Sequence, residues 1–370
     1  AKSSAASDVY KRQLPVARRL VDVDDAVERL LGSAQAPIVL APTRDDEQAQ
    51  SIADAVAPGQ STLGVMLPYS GVHHLLLRPH PDLADGPAQV LVMTSGNLAD
   101  EPLCTDPDEA ERRLAGLADG WLHHDREIHV ACDDSVVQVV GGGLQPVRRS
   151  RGYAPVPVPL PAEVPPTLAV GGELKATVCL ADGHRGWMSQ HLGDVSTIEA
   201  LDLLARTVDV LRRQSRVDPE VVVADQHPGY LSRRWAAEYA ASEGARLVLV
   251  QHHHAHLGSL LAEHRWPADE PVLGVTFDGT GYGTDGSIWG GEFLLGSYAE
   301  VRRVGHLAPV QLPGGDAAVR HPARIALAHL HAAGLPWDPS LPAVAAVTPT
   351  ERTLLTGMLR SGTGCVPTTS

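Results

Sequence analysis

The chain has 370 residues, 44% hydrophobic and 20% charged, with a formal net charge of −14 and a pI near 5.6. That length accommodates two or three domains, each with its own core. So acidic a balance argues against broad phosphate-backbone binding, and no nucleic-acid partner is expected. No apolar run approaches the roughly eighteen residues that a bilayer demands, and no signal-like N-terminal core is seen, so the reading is cytoplasmic with no membrane partner. Aromatics are only 4%, while Gly (35) and Pro (29) abound, which suits a loop-rich α/β protein with backbone-lined sites. Cys104, Cys132, Cys179 and Cys365 are scattered and define neither a disulfide framework nor a zinc-finger spacing.

In chain order, residues 1–13 fit no element and read as a tail or artefact. Residues 14–150 read as one α/β unit. Helices are predicted over 23–31, where Asp24 and Asp25 stand near the start, over 48–57 and over 107–117. Strands are predicted over 36–41, 88–93 and 135–140, and 72–77 is a short apolar helix or strand. Residues 151–166 (RGYAPVPVPLPAEVPP) carry too many prolines for a helix or a central strand, and read as a semi-rigid linker at a domain boundary.

The second domain spans 167–370. Residues 167–180 predict a hairpin around a Gly-Gly turn. Helices follow over 197–214 and 229–243, with strands over 221–224 and 246–250. A histidine-rich helix comes next, then a second hairpin from 273–277 through a glycine turn to 288–296. A final helix is predicted over 322–333. Two glycine-turn hairpins among alternating strands and helices resemble the actin-like ATPase fold.

Four of the five residues from His252 to His256 are histidine, and His252 and His256 lie four apart, on one helical face. Asp278 closes the apolar run VTF and opens DGTGYG. Two imidazoles and a carboxylate suit a divalent metal with open positions. The alternative, a solvated histidine face and a turn aspartate, is weaker for so dense a cluster. His253 and His254 point elsewhere on the helix. The turn GGELKAT sets Gly171, Gly172 and Lys175 where a phosphate could be met, and Gly279, Thr280 and Gly281 form a second such turn. Thr94, Ser95 and Asn97 stand at the end of a predicted strand, where open sheets hold ligands. A capping turn explains them equally well. Three arginines in RRSR, after Ser135 in DDSVV, suggest an anion site or a basic edge.

LGVMLPYSGVHHLLL, MTSGNLADEP, CDDSVV, RRSRGYAP, VGGELKATVCL, SQHLGD, QHHHAH, FDGTGYGTDGSIWGGEF and LPGGDAA together resemble the blocks of the HypF carbamoyltransferase family of NiFe-hydrogenase maturation, in that family's order. The resemblance runs from about residue 14 to the end. It implies a YrdC-like α/β domain followed by an actin-like-fold transferase domain. The first would make carbamoyl-adenylate from carbamoyl phosphate and ATP with Mg2+. The second would pass the carbamoyl group to the C-terminal cysteine of the partner HypE. Residue by residue, the resemblance assigns a divalent metal, iron or zinc, to His252, His256 and Asp278. It gives the nucleotide to Gly171, Gly172, Lys175 and the Gly279–Gly281 turn. The adenylate-forming pocket falls to Thr94, Ser95, Asn97, Ser135, Arg148 and Arg149, and His227 becomes a substrate contact. The family's N-terminal acylphosphatase and zinc-finger regions, the start of its YrdC-like domain and the end of its transferase domain have no counterpart here, so the sequence reads as a fragment. A small-molecule O-carbamoyltransferase and a non-catalytic binding scaffold are the rival readings, and a tRNA-modifying one is weaker because of the charge.

Overall fold

The computed structural model describes residues 13–44, 54–82, 86–98 and 101–370. It divides into two compact units. One holds the chain up to Val158 with Leu174–Cys179 and Trp187–Arg216; the other holds Pro159–Glu173, Leu180–Gly186 and Val217–Ser370.

The first unit starts with α1 (residues 13–20), α2 (Asp25–Leu31) and β1 (Ile38–Pro42). The Asp24 carboxylate accepts the Val27 N–H at 2.8 Å, which caps α2, while Val27 and Leu31, four apart, face the core. A single 3-10 turn (Asp54–Val56), β2 (Thr62–Val65), α3 (Gly71–Leu76) and α4 (Pro107–Arg113) follow, then β3 (Val136–Val140) and β4 (Gly143–Arg148). The sheet order is β2-β1-β3-β4, parallel only between β1 and β3. Val21, Val27, Leu31, Val39 and Val137 form its core.

The second unit opens with β5 (Val158–Gly171) and β6 (Cys179–Met188). Helix α5 (Ile198–Ser215), capped by Thr197 and burying Ala200, Leu204, Val208 and Leu211 at helical spacing, lies in the part of the chain grouped with the first unit. The chain continues with β7 (Val221–Asp225), α6 (Leu231–Glu243), β8 (Arg246–Val250) and α7 (His252–Glu263). Strands β5, β7 and β8 run parallel in a sheet of order β6-β5-β7-β8. A second sheet holds β9 (Val272–Tyr282), β10 (Ile288–Gly296), β11 (Val301–His306), β12 (Val310–Pro313) and β13 (Cys365–Thr368). Helices α8 (Asp316–Arg320), α9 (Ala323–Ala332), α10 (Pro342–Ala345) and α11 (Pro349–Ser361) come between the last two strands. The Tyr282 carbonyl joins the two sheets. It accepts from Gln226 Nε2 at 2.7 Å and from Gln251 Nε2 at 3.3 Å, two side chains just past the ends of β7 and β8.

Five elements depart from the sequence reading. Residues 88–93 form no strand and stay exposed, with Val92 at 75%, because among the described residues no strand pairs with them. Of the helix predicted over 48–57, residues 48–53 lie outside the described residues and the rest is the 3-10 turn. The proline-rich stretch is not an irregular linker beyond Val158, for β5 runs through it. Its register with β7 starts only at Thr167, so the earlier prolines occupy edge positions where no N–H is required. Gly279 and Gly281 of DGTGYG lie within β9, and the hairpin reverses from Gly283, whose carbonyl accepts the Gly286 N–H. Helix 323–332 is not the last, since Thr348 caps α11 through the Glu351 N–H.

Candidate metal centre

The centre is built from the end of β7, the start of α7 and the middle of β9, all in the second unit. Gln251 caps α7 by accepting the His254 N–H at 3.0 Å, and so fixes where the histidine turn begins. His252 and His256 then stand one turn apart with their rings edge to face and their Nε2 atoms 3.2 Å from each other. Strand β9 brings Asp278 to them: its Oδ2 lies 3.1 Å from His252 Nε2 and 3.9 Å from His256 Nε2. Phe277 pairs with Gly291 but Gly281 with Trp289, so β9 carries extra residues here. Such a bulge re-aims side chains next to functional sites.

Asp225, at the end of β7, completes the arrangement. Its Oδ2 lies 2.7 Å from His252 Nδ1, and its Oδ1 accepts the His227 N–H at 2.7 Å. A carboxylate at Nδ1 leaves the Nε2 lone pair facing the common point, the usual outer support of a metal-bound histidine. Without a cation, the hydrogen bonds to Asp225 and then Asp278 push the His252 pKa up to about 9. Burial opposes ionisation of Asp278, yet His252 holds its carboxyl below the usual range. Asp278 Oδ2 is buried without an aligned hydrogen bond. The three ligand atoms lie within 4.8 Å of one another. Three ligand atoms converging on one point fit a cation, which would take the place of the proton that His252 carries there without one, and two imidazoles with one carboxylate suit zinc or iron.

The other histidines are structural neighbours. His253 is wholly buried, and burial keeps its pKa below the ordinary value. His254 Nε2 meets the Ser297 carbonyl at 3.0 Å. His227 takes the Gly229 N–H on Nδ1 at 3.1 Å and stacks on Tyr230 with centroids 4.1 Å apart. Gly172 lies against the centre: a Cβ there would stand 3.8 Å from His252 Cε1 and Tyr230 Cε2. Gly171 precedes it with φ +77°. Gly281 is required by packing, since a Cβ would come within 2.4 Å of His253 Cε1, whereas Gly279 faces open space and its N–H is taken by Asp278 Oδ1. Lys175 is exposed, has φ +48°, and donates its backbone N–H to Asp194 at 2.7 Å; it groups with the first unit.

In the first unit, Ser135 is buried, donating to the Arg151 carbonyl at 2.9 Å and accepting the Ser150 N–H at 2.7 Å. Arg149 gives Nη2 to the Tyr153 and Val156 carbonyls at 2.8 and 2.6 Å, and burial lowers its pKa. Arg151 pairs with Asp134 at 2.7 Å and stacks 3.6 Å over Tyr69. Arg148 stands 3.7 Å from Asp133. Asn97 caps its own turn through the Leu98 and Glu101 carbonyls. The Ser95 carbonyl accepts the Asn97 N–H, and Thr94 lines a cavity of about 470 Å³ with Leu67 and His73.

The sequence reading missed Asp225 as a partner of the site, Gln251 as its cap, and Glu292. Glu292 is fully buried and held by Arg303 at 2.5 Å, by Thr369 and by the Gly290 N–H. A lone acid inside the apolar run WGGEFLL was the available signal for it. For Asp225 the signal was an acid closing the apolar strand VVVA.

This fold and site define a YrdC-like α/β domain followed by a Kae1-like domain. The Sua5/YciO/YrdC model, described as telomere recombination, matches residues 9–150; the HypF Kae1-like domain matches 162–263; the second Kae1-like subdomain of carbamoyltransferases matches 274–370. The chain belongs to the HypF carbamoyltransferase family. Carbamoyltransferase HypF2 of Cupriavidus necator is 44% identical over 336 residues, covering 88% of this chain and 41% of its own length. HypF of Rhizobium leguminosarum bv. viciae is 41% identical over 328 residues, covering 88% and 42%. The crystal structure of full-length HypF in its phosphate- and nucleotide-bound form superposes with a TM-score of 0.81 at 35% identity, covering 99% of this chain and 48% of that one. HypF of T. kodakarensis gives 0.83 at 30%, covering 98% and 50%. The chain thus spans about two fifths of the curated relatives and half of the solved ones. Among the described residues, no helix is long and apolar enough to cross a membrane.

Proposed function

We propose that the chain takes part in ATP-dependent carbamoyl transfer for hydrogenase maturation, with the transfer centred on His252, His256 and Asp278. The observation that carries this reading is the convergence of those three ligand atoms with Asp225 behind His252. A divalent ion held there would polarise the carbamoyl carbonyl and stabilise negative charge developing on it. Asp225 orients His252, and Gly172 leaves room for a ligand beside its ring. His227, stacked on Tyr230, is the substrate contact on the β7 side. Gly171, Gly172 and Gly279–Gly281 border the nucleotide, and Lys175 is proposed, from its place in GGELKAT alone, to meet a phosphate.

Carbamoyl phosphate and Mg2+-ATP are the proposed sources of the carbamoyl-adenylate, and the C-terminal thiol of HypE is the acceptor. In the first unit Thr94, Ser95 and Arg148 retain side chains for the adenylate-forming site. Ser135, Asn97 and Arg149 shape it through their backbone contacts. The domain limits proposed are 14–150 and 167–370.

The test measures two activities on each variant: ATP–pyrophosphate exchange dependent on carbamoyl phosphate, and transfer of labelled carbamoyl to HypE. His252→Ala and Lys175→Ala should leave exchange intact and abolish transfer. Ser95→Ala or Arg148→Ala should reduce exchange. Transfer that persists in His252→Ala, or after stripping the metal, sinks the assignment.

A further inference from the structure

His253 has no place in the mechanism above, although no side chain in α7 is more deeply buried. Its protonation pattern follows from Gln251. That side chain's Oε1 accepts the His254 N–H at 3.0 Å and its Nε2 donates to the Tyr282 carbonyl at 3.3 Å, so the amide can be oriented in only one sense. The same Nε2, a donor only, lies 3.0 Å from His253 Nδ1. Nδ1 is therefore the acceptor, and the proton of the neutral ring sits on Nε2. That Nε2–H is buried and unpartnered. Asp278 Oδ2, also buried and without an aligned hydrogen bond although His252 Nε2 lies 3.1 Å from it, is 3.9 Å away. An orphan donor thus faces an orphan acceptor that is also a ligand atom. Once His252 Nε2 ligates a cation it has no proton left for Oδ2, because its remaining ring proton faces Asp225. The ring of His253 has no exposed surface from which to touch substrate.

We propose that His253 is a positioning residue: its Nε2–H closes onto Asp278 when a divalent cation is bound and holds that carboxylate in its ligating orientation. This rests on the metal-centre reading. Gly281 supports it from below, since any side chain there would displace the ring. Outer-shell partners of this kind contribute about 10–100-fold to metal affinity.

Two measurements test it. Long-range proton–nitrogen NMR of the metal-free protein should show His253 as the Nε2–H tautomer; an Nδ1–H tautomer overturns the proposal. Co(II) titration followed by visible absorption then compares wild type, His253→Met and His253→Gln. The methionine variant should bind about 10–100-fold more weakly with a displaced spectrum, and glutamine, which returns a donor near the Nε2 position, should recover most of the loss. Wild-type affinity and spectrum in His253→Met overturn the proposal. So does a glutamine variant as weak as methionine, because volume and not the hydrogen bond would then matter. If methionine prevents folding, the glutamine variant and the tautomer decide. A wild type that takes up no Co(II) overturns the metal-centre reading itself, a failure distinct from a change confined to the His253 variants.

Discussion

Two segments of this chain concentrate charge-bearing side chains, RRSR at 148–151 and QHHHAH at 251–256, and the structure uses them in opposite ways. Arg151 gives its guanidinium donors to the Gln35 and Ala36 carbonyls and to Asp134, and Arg149 gives Nη2 to the Tyr153 and Val156 carbonyls while its Nη1 stays buried without a partner. Arg151 holds the exit of β4 against the loop before β1, and Arg149 clasps the turn that follows. In the histidine segment, His252, His256 and Asp278 aim their free atoms at one another and leave Asp278 Oδ2 without a partner. Charge density alone does not separate a scaffold from a site. What separates them is where the polar atoms point, outward to carbonyls of the fold in one segment and toward a common point in the other.

The sharpest way to break this contrast is His256→Ala. Bound zinc or iron, measured by elemental analysis on the purified protein, should fall below about a tenth of wild type, since two ligands do not hold an ion against water. Equal metal in both proteins would erase the distinction between the segments. The next effect is in pH. His252 carries a proton up to about pH 9 in the metal-free protein, and a cation must displace it. Apparent affinity should therefore fall roughly tenfold per unit as pH drops below that value. The stability contribution has the opposite sense. Because the pKa is raised from 6.5, it is fully present below that pH and is lost as pH climbs through about 9, a change of about 3 kcal/mol in the metal-free protein. Denaturant melts of metal-free protein at pH 6 and 10 would read it.

Asp225→Asn should weaken metal binding by about 10–100-fold, since the amide leaves the His252 tautomer undefined. It should leave the first unit's melting unchanged. The smallest effect sharpens the other side of the comparison. Ser135→Ala removes a buried hydroxyl with two partners and should cost about 1–3 kcal/mol of stability without altering metal content.

How much of this was legible in the sequence follows the same division. The histidine pair and Asp278 could be read because i,i+4 spacing is a local rule and a strand-ending acid is a local signal. Strand β8 and helices α5 and α7 were legible for the same reason. Asp225 was not, because its partnership with His252 depends on two parallel strand ends meeting 27 residues apart. Residues 88–93 looked like a strand by composition, yet a strand is defined by neighbours that no local pattern reveals. The prolines of β5 misled in the opposite sense. They forbid a central strand but permit an edge, and only the register with β7 shows which applies. In the arginine segment the residue types were seen, but an anion site and a set of backbone clasps look alike until each donor's partner is known.

The carbonyl of Tyr282 has one further consequence. Both of its lone pairs are occupied, by Gln226 and by Gln251, which follow strands of one sheet while the oxygen belongs to the other. If the two sheets part, that single oxygen loses both donors to water. A carbon-13 label at this carbonyl would then shift its infrared band, and the label would serve as a built-in gauge of whether the two sheets of the second unit stay closed together.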